Sequence, residues 1–224
     1  SDWPLKYSDL EKFYNLNDAE MGVSGLEGDP AYPEITGLLP PIDMGEIANV
    51  IGNGFNKLGW HWWPSYAAIL TREKDGRGRC MNLGPCNTGC PQGAKASVDI
   101  TYWPKAIKKG VKLFTNCRAS QVITNDKDEV KGVSYYDSSG NECFMKCKMV
   151  LMACNGVGTP RILLNSKSNL RGESLANRSD MVGRNLMLHP LGFIEGIFKD
   201  NINSNIGPHG CCILSQEFYE TEEE

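Results

Sequence analysis

The sequence contains no long apolar run, no excess of basic residues and no glycine-rich dinucleotide motif. None of its 224 residues lies in an apolar stretch near the ~20 residues that a membrane-spanning helix needs, so no transmembrane segment is expected. Lys and Arg number 23 against 27 Asp and Glu, and this balance argues against nucleic acid as a partner. The pattern G-x-G-x-x-G is missing throughout, so the chain has no complete dinucleotide fingerprint of its own.

The cysteines do not form the pattern of a disulfide framework. There are nine of them, an odd number, and Cys211 and Cys212 are adjacent. Free thiols in a reducing compartment fit this pattern better, so cysteine usage favours a cytoplasmic location.

Three of the cysteines, Cys80, Cys86 and Cys90, lie in the cysteine loop, residues 79–102. This segment is rich in glycine and proline, which excludes a regular helix or a central strand. Three thiolates could hold a three-iron cluster, so an iron–sulfur electron-transfer module stays open as an alternative. Zinc would need a fourth ligand, and no histidine lies in the loop. The composition favours a structural thiol loop with no metal.

Residues 1–75 are expected to be mostly helix and loop. Apolar residues at helical spacing predict one helix that ends at Gly22 and a second that ends at Gly59. The aromatic stretch at residues 60–64 that follows has two interpretations, an aromatic patch at the edge of a core or a wall of a ligand pocket. His61 within it is more typical of a packed, hydrogen-bonded histidine than of a catalytic base.

Residues 111–154 are expected to be mostly strand, as an antiparallel meander with turn clusters between its strands. The continuous apolar run at 150–153 predicts a strand buried on both faces. A glycine turn at 155–158 follows. The next helix is predicted to start at Thr159-Pro160, with Thr159 as the boundary residue and Pro160 at the first helical position. A strand, a glycine turn and a helix N-terminus together suit a ligand phosphate or ring edge, although a plain strand–helix connection has the same pattern.

Several stretches resemble the glucose–methanol–choline (GMC) family of flavoprotein oxidoreductases, in particular its bacterial alcohol, sugar and sugar-acid dehydrogenases. They are DWPLKYSDLEKFY, LGWHWWP, CNTGCPQGAKASVDITYWPKA, LMACNGVGTPRILLNS, LANRSDMVGRNLMLHP and GPHGCCILSQEFYE, and they follow the family order along nearly the whole chain. The resemblance implies an α+β or α/β fold, with part of a Rossmann-like FAD-binding domain and the beginning of an antiparallel substrate-domain sheet. It assigns residues 1–75 to the substrate or cap side, 76–185 to the FAD domain with its cysteine loop, and 186–224 to the substrate-domain sheet.

The resemblance also implies which residues bind the cofactor FAD. Ala119 lies in the strand whose backbone meets the adenine, and Asn185 lies in the element that leads to the substrate domain. Ala153, Asn155 and Gly156 form the turn beside the cofactor. No catalytic residue is assigned, because the proton-abstracting histidine and the glycine-rich phosphate turn of the family are expected outside residues 1–224. The chain is therefore expected to be an internal segment that alone binds FAD weakly and catalyses nothing.

The reaction implied is hydride transfer to flavin from a carbon that bears a hydroxyl group, in a small alcohol or sugar. The residues do not indicate the electron acceptor. A non-catalytic α+β binding domain is the remaining alternative, beside the iron–sulfur module.

Overall fold

A computed structural model describes residues 4–208 and 213–219 of the chain. The described residues form four helices and five strands, in the following order: α1 Tyr7–Met21, α2 Gly45–Leu58, β1 Trp63–Pro64, α3 Tyr102–Lys108, β2 Arg118–Thr124, β3 Val130–Tyr136, β4 Glu142–Lys146, α4 Asn155–Asn165 and β5 Ile213–Leu214. No helix in this part of the chain is both long and apolar enough to cross a membrane.

The first two helices end where the sequence predicts. Gly22 and Gly59 follow α1 and α2 in the left-handed conformation, with φ of 76° and 70°. A residue without a Cβ adopts this conformation at no steric cost, and its N–H then satisfies a carbonyl of the last helical turn. Both predicted helix ends are confirmed.

The aromatic segment after α2 is packed and hydrogen-bonded. Trp60 meets Phe218 edge to face, with ring centroids 4.9 Å apart. His61 Nε2 lies 2.9 Å from Oδ1 of Asp29, whose side chain is fully buried. The prediction that His61 is a packed, hydrogen-bonded histidine is confirmed.

The predicted antiparallel meander is confirmed by a three-stranded sheet in the order β2-β3-β4. Gly132 lies where β3 crosses close to β4. A Cβ at this position would stand 2.2 Å from the carbonyl oxygen of Met145, so only glycine allows the two backbones to approach in this way. β2 is the outer strand of this sheet, and no other described strand pairs with its second edge.

The prediction of a buried strand at residues 150–153 is wrong, and so is the predicted start of the next helix. The segment is irregular, and Leu151 is 84% exposed. An apolar run becomes a buried strand only when other strands cover it, and no described strand pairs with this one. Helix α4 begins at Asn155, four residues before the predicted start, so Pro160 lies inside the helix.

The described residues divide into two compact units. One comprises Ser1–Val111 and Gly196–Glu224, and the other comprises Lys112–Glu195. The core of the first unit is a cluster of Ile42, Ile69, Leu70 and Ala94, against which Cys80 and Cys90 pack. This division reflects packing contacts alone and does not show which residues face the cofactor or the substrate. The assignment of residues 1–75, 76–185 and 186–224 to cofactor and substrate sides stays a prediction.

Arg77 connects separate parts of the first unit from a buried position. Its guanidinium donates to three backbone carbonyls: Nη1 to Met21 at the end of α1 at 2.9 Å, Nε to Gly93 at 2.9 Å and Nη2 to Ala94 at 3.0 Å. The last two acceptors belong to the cysteine loop. One buried side chain therefore holds the loop against the end of α1.

Candidate functional site

A cleft of about 400 Å³ lies in the second unit, between the first half of β2 and helix α4. Residues 118–121 of β2 and Tyr136 of β3 line one side, and Gly158, Arg161, Ile162 and Asn165 of α4 line the other. Two of these residues are arginines and none is acidic. The cleft is therefore positively charged in a chain whose formal net charge is −4, which suits an anionic ligand.

Among the described residues, the hydrogen bonds that cover the outer edge of β2 lie along its second half. The N–H of Val122 donates to Ser166 Oγ at 2.9 Å, and Asn169 Nδ2 donates to the carbonyl oxygen of Thr124 at 2.6 Å. Ser166 ends α4, so this helix and the loop after it take the place of a neighbouring strand. Residues 118–120 extend beyond this cover and line the cleft, where a ligand can reach a strand edge.

Helix α4 begins in an unusual conformation. Asn155 has a φ of 59°, and its Oδ1 accepts the N–H groups of Val157 at 2.9 Å and Gly158 at 3.0 Å. The side chain thus satisfies two N–H groups of the first turn that have no helical partner. Pro160 has no N–H, so the carbonyl of Gly156 cannot receive the usual i+4 hydrogen bond.

The five residues predicted to bind the cofactor lie in three places. Ala119 lines the cleft. Asn155 and Gly156 open α4, one turn before its cleft-lining residues, and Ala153 is exposed in the irregular segment just before them. Asn185 is exposed, in a turn with a φ of 56°. Their roles in binding stay predictions.

The turn that holds Asn185 packs against the same helix. A Cβ at Gly183 would stand 3.1 Å from Leu164 and 3.8 Å from Pro160, so the turn backbone lies close to α4. This helix thereby connects the cleft, the turn at its own N-terminus and the turn at residues 183–185.

Of the nine residues that line the cleft, Ala119 alone was among the predicted site residues, and Tyr136 and Arg161 are two of the eight that were missed. Tyr136 is the cross-strand partner of Arg118, and Arg161 lies three residues after Gly158 on one face of α4. Helical spacing was the signal for Arg161, since residues three apart share a helix face. Tyr136 had no clear sequence signal, because its pairing with Arg118 follows a hairpin register that is shifted between Ala119 and Gln121.

The cysteine loop was the other candidate site. Among residues 4–208 and 213–219, no group of three or more His, Cys, Asp or Glu side chains is arranged to hold a metal ion. Six cysteines in this part of the chain are free thiols, namely Cys80, Cys90, Cys117, Cys143, Cys147 and Cys154, while Cys211 and Cys212 lie outside the described residues.

Cys90 is distinguished by its electrostatic surroundings. Burial by itself raises the pKa of its thiol, but backbone N–H groups of residues 92–95 donate to the sulfur and hold the pKa below its ordinary value. Because the pKa in the folded protein is depressed, ionisation of Cys90 adds stability that is fully present above the unfolded pKa. That stability is lost as the pH falls through the folded pKa.

We therefore expect Cys90 to react with iodoacetamide at a lower pH in the folded protein than in the same protein unfolded by urea. Only the thiolate is nucleophilic, so the rate of alkylation follows its ionisation. Peptide mass spectrometry of timed samples, taken between about pH 6 and about pH 10, measures the alkylation rate at Cys90 alone. If the alkylation rate of folded Cys90 rose at the same pH as in the unfolded protein, or at a higher pH, the result would contradict the depressed pKa.

Comparison with known proteins decides the family. A family model described as GMC oxidoreductase matches residues 43–191, more than half of the chain. The chain belongs to the GMC oxidoreductase family. The match includes the cysteine loop, the β2–β4 sheet, α4 and the turn at residues 183–185, so every element of the candidate site in this GMC chain lies inside it.

Individual relatives agree with this membership. A 2-methyl-1,2-propanediol dehydrogenase from Mycolicibacterium austroafricanum is 36% identical over 225 residues, which cover 99% of this GMC chain and 41% of that protein. The fructose dehydrogenase large subunit of Gluconobacter japonicus is 32% identical over 84% of the chain and 35% of its own length. A paromamine 6'-oxidase from Streptomyces fradiae is 26% identical over 87% of the chain and 36% of its own length.

The chain thus spans about two fifths or less of the length of these relatives. All three are named as dehydrogenases or oxidases. None of the three is named as an iron–sulfur protein.

Proposed function

We propose that this chain forms the adenine side of the FAD site in an oxidoreductase that oxidises a small alcohol or sugar. The observation that carries the proposal is the cleft beside β2. The uncovered strand edge at residues 118–120 lies in this cleft, opposite helix α4. These residues are also inside the part of the chain that matches the GMC family.

The chemistry of the cleft fits one end of a dinucleotide. Adenine has a ring nitrogen acceptor beside an amino donor, and the uncovered edge of a strand offers N–H and C=O groups at matching spacing. The volume of about 400 Å³ lies within the range of small-molecule sites. Two arginines and no carboxylate suit a ligand that carries phosphate groups.

Each predicted residue has a role in this proposal. The backbone at Ala119 binds the adenine edge. Ala153, Asn155 and Gly156 bring the start of α4 close to the cofactor, and the Asn155 side chain holds that first turn in place through its bonds to Val157 and Gly158. Asn185 contacts the cofactor from the turn that packs on α4.

When bound, FAD supplies a two-electron acceptor for the hydride that leaves a carbon bearing a hydroxyl group. The hydroxyl proton goes to a base that is not assigned among the residues of this chain. The substrate class rests on the names of the relatives, which specify a diol and a sugar.

The free thiols support a further proposal that the protein works in a reducing compartment, such as the cytoplasm.

The test is to purify the protein that carries residues 1–224, with the sequence that flanks them in its gene, and to measure its flavin. We expect about one FAD per polypeptide, and anaerobic bleaching of the flavin by at least one member of a panel of diols, primary alcohols and sugars. A protein that contains no FAD, or FAD that no hydroxylated compound reduces, would contradict the proposal.

A further inference from the structure

Arg118 and Tyr136 form a cation–π pair in the wall of the cleft. They are direct cross-strand partners at the ends of β2 and β3. The guanidinium carbon of Arg118 lies 5.0 Å from the centroid of the Tyr136 ring, the geometry of a cation–π contact. Both residues line the cleft.

The guanidinium of Arg118 is available to a ligand. Within the described part of the chain it forms no ion pair with a carboxylate, and the residue is exposed. A guanidinium is planar and has two faces, of which Tyr136 can cover only one. Because Tyr136 supports it from the neighbouring strand, Arg118 loses less conformational entropy when a flat ring stacks on its other face.

We propose that Arg118, supported by Tyr136, is the stacking platform for the adenine ring and determines the preference of this site for FAD over FMN. This inference rests on the proposed function in one respect, since it requires adenine to bind in the cleft. The inference goes beyond the proposed function because it assigns recognition of the adenine face to the side chain of Arg118. In the proposed function, the strand edge recognises only the edge of the ring.

Stacking and simple charge attraction predict different results for a lysine at position 118. Lysine keeps the positive charge but is a point charge on a flexible stem and cannot stack as a plane. Arg161, on the opposite wall, supplies a second positive charge that remains in every variant of Arg118. A requirement for arginine at position 118 would therefore indicate its flat face rather than its charge.

The experiment measures the dissociation constants of FAD and FMN for the deflavinated protein, again with its native flanking sequence. We expect Arg118→Met to weaken FAD binding about tenfold, and Arg118→Lys to weaken it nearly as much, because a desolvated cation–π or stacking contact has roughly this magnitude. FMN lacks adenine, so its affinity should not change. Arg178→Met, at an exposed arginine outside the cleft, is the matched control and should bind both flavins as the wild type does.

The outcomes separate the two proposals. Wild-type protein that binds no FAD would overturn both. If the wild type binds FAD, an Arg118→Lys variant with wild-type affinity would overturn the platform and leave the proposed function intact. An Arg118→Met variant that loses FMN and FAD affinity equally, or neither, would also overturn the platform.

Discussion

Replacing Arg77 by methionine is expected to lower the free energy of unfolding by at least about 3 kcal/mol. Methionine fills a similar volume but donates no hydrogen bond. The carbonyls of Met21, Gly93 and Ala94 would each lose a charged donor inside the protein. Since whole domains are stable by only about 5–15 kcal/mol, this loss would be a large part of the total.

Urea unfolding followed by tryptophan fluorescence measures this change. Arg77→Lys should recover only part of the loss, because one ammonium group cannot reach three carbonyls on two separate segments. Arg79→Met is the matched control, at an exposed arginine two residues away, and should change the unfolding free energy by less than about 0.5 kcal/mol. Equal stability of the Arg77 and Arg79 variants would show that Arg77 does not hold the cysteine loop to α1.

Replacing Gly156 by valine is expected to weaken FAD binding about tenfold or more, since overpacking a filled site costs about 1–3 kcal/mol. The fold itself has room for the change. Gly156 is exposed, its φ is not positive, and an added Cβ meets no protein atom within 4 Å. A loss of flavin would therefore report contact with the cofactor and not a clash within the protein.

Flavin retained through gel filtration, and the dissociation constant of FAD, measure this effect. Gly54→Val is a suitable control, because Gly54 is also helical and exposed and its added Cβ meets nothing within 4 Å. Because valine is a slightly better helix former than glycine, this change should alter helix stability only slightly and leave FAD binding unchanged. Unchanged FAD affinity in the Gly156→Val protein would reject a cofactor role for this residue.

Local sequence signals predicted the parts of the fold that depend on local chemistry. Gly22 and Gly59 ended their helices as expected, because the left-handed residue after a helix is a backbone requirement that glycine meets by itself. The meander was also predictable, since turn residues separate its alternating strands. Neither result needed knowledge of distant contacts.

The errors arose where a distant partner or a single capping side chain decides the structure. The apolar run at 150–153 has the composition of a buried strand, yet no described strand covers it, and composition cannot supply that cover. The start of α4 was misplaced because Asn155 replaces the missing helical partners with its own side chain, which let the helix begin four residues earlier. The contact of Tyr136 with Arg118 depended on a register shift that has no clear sequence signal.

The most direct measurement of the central claim is a crystal structure of the flavin-loaded protein. The account predicts that the adenine ring lies in the cleft between β2 and α4, with its edge hydrogen-bonded to the backbone at residues 118–120 and its face on Arg118. An adenine ring bound elsewhere, with this cleft filled by solvent, would contradict the account.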